Sequence, residues 1–181
     1  MLAVVLIAAG CTGVQDKVGE AYKGWKPGEM DIHHIHTGMG EANFIIMPDG
    51  TSMLIDAGDL GPNDPSWEMP KAFPPIADAE FHPGKYVARY IMKVNPKHEH
   101  VDYFMSSHFH DDHLTNAKKG AEVTVGRDPD YVLSGVAEVG EWIDFGKFYD
   151  RGWPDYDYPL EITDANVANF RAFVKYQAGS C

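Results

Sequence analysis

Cysteine is nearly missing from this chain: Cys11 and Cys181 are the only two in 181 residues. Standing near opposite ends, they offer no disulfide framework, so the fold has to rest on a packed core. Basic residues are scarce too. Fifteen Lys and Arg face 27 Asp and Glu, for a net charge of −12. That balance argues against a non-specific grip on nucleic acid, which needs clustered cations, but leaves room for a small phosphoester held by metal ions. No apolar run has the length of a membrane-spanning helix, and there are no internal repeats or low-complexity segments. Histidine is absent after His113, although the chain has nine.

What is present is 44% hydrophobic residues in a length that suits one domain, and one dense polar stretch. Ser107-His108-Phe109-His110-Asp111-Asp112-His113 follows an apolar run at 101–105 that reads as a central strand covered on both faces. On an extended exit from that strand, His108 and His110 project to the same side and suit one divalent metal. Asp112 and His113 come next, where the chain turns toward a short helix at 114–120, and offer a carboxylate and a third imidazole to a second metal. Imidazole with carboxylate is a ligand set for zinc, manganese or iron rather than calcium or magnesium.

Upstream, weak alternation over 31–37 leads through Gly38-Met39-Gly40-Glu41 to an apolar run at 42–47. Pro48-Asp49-Gly50 then turns the chain into a second apolar run at 51–55, which ends at Asp56-Ala57-Gly58. This predicts strands joined by a tight hairpin. His34 and His36 share a strand face and read as a partly buried pair, with substrate contact as the alternative. Residues 61–82 read as an inserted loop. Pro83 opens a helix with Tyr86, Val87, Tyr90, Ile91 and Val94 on one stripe, and His98 and His100 read as exposed loop residues. Ser134 is placed to cap a helix carrying Val136, Val139, Trp142 and Ile143, and 145–150 reads as a strand. Residues 151–159 interleave Trp153, Tyr156 and Tyr158 with aspartates, as a pocket wall or as an aromatic clamp on a long loop. Thr163 or Asp164 caps a last helix with Val167, Phe170, Phe173 and Val174 inward.

The order of strand, Gly-x-Gly-acid, strand, Pro-Asp-Gly, strand and Asp-Ala-Gly, then strand and His-x-His-x-Asp-His, resembles the metallo-β-lactamase superfamily. It is most similar to the branch that includes the DNA-uptake competence proteins. The resemblance covers 31–181 and implies an α+β fold, an αββα sandwich with metals at one edge of two sheets. His108 and His110 would bind the first metal, Asp112 and His113 the second, with Asp112 also orienting the nucleophile. Asp56 would brace the metal loop from behind, and the Gly-x-Gly loop would approach the site. Two zinc ions, or manganese or iron, would make the protein a hydrolase using a metal-bound hydroxide on a small-molecule ester, amide or phosphoester. The chain departs from the pattern in its second half. The superfamily draws a further histidine, a bridging aspartate and another histidine from later loops; no later histidine exists here, and Asp150 and Asp164 are the candidates for the bridge, neither at a glycine-flanked strand exit. The domain is therefore expected to be truncated at its carboxyl end, poorly soluble and inactive by itself.

At the other end, apolar residues 2–9 run into Ala8-Ala9-Gly10-Cys11, which resembles a bacterial lipoprotein signal lacking its basic leader. This divides the chain into a signal segment at 1–11, a tether at 12–30 and the domain at 31–181. Cys11 would carry a lipid anchor in the cell envelope, outside the cytoplasm; a buried amino-terminal strand is the competing reading. Two other functions compete with hydrolysis: a non-catalytic envelope lipoprotein with a partial or structural metal site, and a di-iron redox protein.

Overall fold

The computed structural model describes residues 19–37, 40–59, 83–115, 117 and 126–179. Expectations for 1–18, for the inserted loop at 61–82 and for most of 114–120 lie outside these residues. The fold is α+β, with one five-stranded mixed sheet among the described residues. Its strands are β1 (Asp31–His34), β2 (Asn43–Ile46), β3 (Ser52–Ile55), β4 (His100–Met105) and β5 (Asp144–Tyr149), side by side in chain order. The first three pair antiparallel, whereas β3–β4 and β4–β5 are parallel. Parallel neighbours need crossovers. Helix α1 (Pro83–Val94) lies between β3 and β4, the single turn α2 (Val136–Val139) between β4 and β5, and α3 (Ala165–Gly179) follows β5.

Alternation places Phe44 and Ile46 of β2 and Leu54 of β3 on the core face, all fully buried. The hairpin between them closes on Gly50 at φ 82, with Thr51 N–H donating to Asp49 Oδ1 at 2.9 Å. Val87, Ala88 and Ile91 of α1 and Val167, Phe170, Phe173 and Val174 of α3 cover that face. Phe104 sits at the centre of the aromatic packing, with ring centroids 5.5 Å from Phe145 and 5.6 Å from Phe148. Each such side chain contributes roughly 1.5–3 kcal/mol on burial.

Several local expectations change in three dimensions. The α1 stripe is rotated: Ala88 and Gly84 are buried, while Tyr90 is exposed and bonds His33 Nδ1 at 3.0 Å. Strand β4 is not apolar on both faces in its surroundings, because Tyr103 and Met105 are only half-buried on the side away from the helices. The helix expected after Ser134 is one turn, capped by no side chain, and Trp142 beyond it is exposed. Ser134 turns its hydroxyl to Asp59 instead. His34 and His36 are both exposed rather than a partly buried pair: His34 lies on the outer face of β1, and His36 lies beyond the strand's end. His98 is exposed as expected, but His100 begins β4 and is half-buried. Asp164 does cap α3, its Oδ1 accepting from Asn166 N–H at 2.8 Å.

The described part of the tether, 19–30, lies on the sheet. Trp25 packs against the core, its ring meeting Gly50 where a Cβ would stand 3.3 Å away. Gly28 N–H donates to Pro48 O at 2.8 Å. Among the described residues no helix is long and apolar enough to cross a membrane.

Candidate metal centre

Because β3 and β4 are parallel neighbours with Ile55 opposite Met105, both chains leave the sheet at the same edge. Ligand sites in sheets with parallel strands gather at such carboxyl ends. Asp56 N–H extends the ladder to Met105 O at 2.9 Å, and Asp56 then turns at φ 60 with only 2% of its surface exposed. A left-handed, buried, non-glycine residue is costly, and aspartate tolerates it better than most. Its carboxylate is what the turn positions. Oδ1 accepts from Ser107 N–H at 2.7 Å, and Oδ2 accepts from Ser107 Oγ–H at 2.6 Å and His113 Nδ1–H at 2.9 Å.

That network orients two imidazoles. An ionised carboxylate can only accept, so His113 carries its proton on Nδ1 and keeps the Nε2 lone pair for a ligand. Ser107 Oγ has donated to Asp56, so it accepts from His108 Nδ1 at 3.0 Å, which leaves Nε2 of His108 likewise unprotonated. Burial, followed by the nearby His113 and His110, lowers the pKa of His108, against the pull of Asp56 and Asp112. The neutral ring is the metal-binding form. One donor atom from each of His108, Asp112 and His113 lies within 4.8 Å of the others. His110 stands beside them, exposed, with Nδ1 3.1 Å from His108 Nε2.

The backbone of the loop is tied from behind by distant segments. Glu41 N–H donates to Asp112 O at 2.8 Å, Ala57 N–H to His113 O at 2.9 Å, and Asp59 N–H to Asp111 O at 3.0 Å. Two glycines make the approach possible. A Cβ on Gly58 would lie 1.7 Å from Asp112 O, and one on Gly40 would lie 2.8 Å from the Gly58 carbonyl carbon. Both belong to the Gly-x-Gly and Asp-Ala-Gly signals. Asp59 was not singled out by sequence; it is 3% exposed and accepts from Ser134 Oγ–H at 2.7 Å, which joins the loop to the turn before α2. Ser107 was also passed over as a link between Asp56 and His108, though it stands next to the first histidine.

Of the four ligand candidates, His108, Asp112 and His113 thus form one group with Asp56 directly behind it, while His110 stands outside that group, next to His108. The two aspartates weighed as a bridging ligand do other work. Asp150 accepts from Gly152 N–H, Trp153 N–H and Tyr156 Oη–H within its own loop, and Asp164 caps α3. The donor set is nitrogen with carboxylate oxygen, which fits zinc, manganese or iron. Comparison of the chain with protein-family models, with curated proteins and with solved structures gives no match.

Proposed function

We propose that this chain is a metal-dependent hydrolase resembling the metallo-β-lactamase superfamily, acting on an ester, amide or phosphoester of a small molecule. The observation that carries the reading is the Asp56 carboxylate holding Ser107 and His113 at once. A solvated polar loop has no need of a buried aspartate, two close-packed glycines and three long-range backbone bonds behind it. A bound zinc would supply Lewis acidity and a water with its pKa lowered to about 7. The chain's residues would hold the rest in place. Nε2 of His108 and of His113 would be metal donors, Asp112 would add a carboxylate, and His110 would enter from the exposed side. Asp112, with a carboxylate oxygen 3.6 Å from His113 Nε2, is placed to accept a proton from a nucleophile beside it. In this proposal the sheet described above is one layer of an αββα sandwich, two metals occupy the complete site, and Cys11 anchors the protein by lipid in the cell envelope.

A second reading has its own support. Four donors in six consecutive residues, with His110 next to His108, would close the coordination shell as a structural site does. One experiment separates the two. Zinc content and affinity are measured for the full chain and for His108→Ala, His110→Ala and His113→Ala, alongside hydrolysis of a phosphodiester and lactam panel with and without chelator. Metal loss in all three variants with chelator-sensitive hydrolysis supports the hydrolase. Metal loss that lowers thermal stability, with no hydrolysis, supports the structural site. Unchanged stoichiometry and affinity in all three would remove the metal site.

A further inference from the structure

Among the described residues, strand β5 is an edge of the sheet. Tyr149 O accepts from Ser106 N–H at 2.9 Å on the β4 side, so alternation turns the N–H and C=O of Phe148 to the open side. Among the described residues nothing bonds them. Beside this edge runs a cavity of about 740 Å³ between β5, the end of α3 at Val174 and Ala178, and the loop carrying Trp153 and Tyr158. A groove between an edge strand and a helix is a geometry in which extended peptides add a strand, with main-chain bonds for affinity and pockets for specificity.

We propose that this groove takes an extended peptide segment of aliphatic and basic character, added to the sheet beside β5. The occupant is argued from the walls. Phe148 and Val174 offer an apolar surface to an aliphatic side chain. Asp150, Asp155 and Asp157 line the cavity against Lys147 and Arg151; Asp155 and Asp157 are exposed and without an ion pair among the described residues, and Arg151 reaches over the Phe109 ring at 5.6 Å. Trp153 and Tyr158 add exposed ring faces, 49% and 82% accessible, suited to a cation. In a chain of net charge −12, that mouth selects Lys or Arg. A second copy of this chain is the competing occupant, and the light-scattering measurement below tells the two apart.

The test uses the full chain and a fluorescein-labelled, capped hexapeptide of alternating Thr and Val ending in two lysines. Saturable binding by anisotropy is expected, with slowed hydrogen exchange at the Phe148 amide. N-methylating the peptide at the residues that face β5 should weaken binding at least about tenfold, and N-methylating the alternate residues should leave it unchanged. Asp155→Asn with Asp157→Asn should weaken it several-fold and flatten its salt dependence. Metal content of that variant should equal the parent's, which keeps this result separate from the metal proposal. Absence of saturable binding overturns the inference. So does equal weakening by both N-methylation patterns, or a dimer in light scattering that protects the Phe148 amide without peptide.

Discussion

The metal loop at 107–113 and the loop at 151–159 look alike in composition: both mix aspartates with rings, and both follow a strand of the same sheet. They are built differently. Asp56, 2% exposed, takes its bonds from residues more than fifty positions away, and the loop it holds is tied again to Glu41, Ala57 and Asp59. Asp150 binds Gly152, Trp153 and Tyr156, all within six positions. Bonds across the fold place side chains to the tolerance a metal needs. Local bonds give a loop its shape and leave its outer surface open.

The contrast can be broken most severely at its glycines. Gly58→Ala sets a Cβ against the Asp112 carbonyl, so we expect loss of about 3 kcal/mol or more and of metal binding. Gly152→Ala, where the nearest atom is Tyr156 Cα at 3.0 Å, should cost about 1 kcal/mol and leave metal binding intact. Urea unfolding and zinc titration of both variants check the pair, and comparable losses would erase the distinction.

Next comes the carboxylate itself. Asp56→Asn leaves His113 free to change tautomer, so metal affinity should drop about 10- to 100-fold, whereas Asp150→Asn should leave it unchanged. Calorimetric zinc titrations read both.

A smaller effect tests whether β3 and β4 are held together by charge as well as packing. Asp102 on β4 accepts from Ser52 N–H at 2.7 Å and from Lys97 Nζ at 2.6 Å. Burial alone would raise its pKa, but the Lys97 and Ser52 hydrogen bonds, with the Lys97 charge, hold it down to about 2. A pKa lowered by folding contributes stability above the unfolded value of 3.8 that is lost as pH falls toward about 2. Asp102→Asn should flatten unfolding midpoints in that window, a difference of roughly 1–2 kcal/mol. His33 acts in a second window. Burial lowers its pKa from 6.5, opposed by Asp31, so stability should begin to fall as pH drops below about 6.5, and His33→Phe should remove that slope. The smallest change is expected at Trp153→Ala, under about 0.5 kcal/mol for a half-exposed ring, with zinc stoichiometry untouched; thermal melts with metal analysis decide it.

The sequence by itself determined the elements whose signals are local. Apolar runs marked 42–47 and 51–55 as strands, Pro48-Asp49-Gly50 as the turn, Thr163 or Asp164 as a cap, and Val167, Phe170, Phe173 and Val174 as the inward stripe of the last helix, because each signal depends on residues a few positions apart. It also picked out 107–113 as chemically exceptional, and the family resemblance pointed to Asp56 behind it. Only the tertiary structure decided that Asp56 and Ser107 touch, that Asp59 and Ser134 support the loop from behind, and that β5 is left as an edge beside a groove. It also decided that His34 and His36 face solvent and that α2 stops after one turn. Those outcomes follow from which strands become neighbours, and that choice is made by burying one common core across the whole chain. No local pattern encodes it.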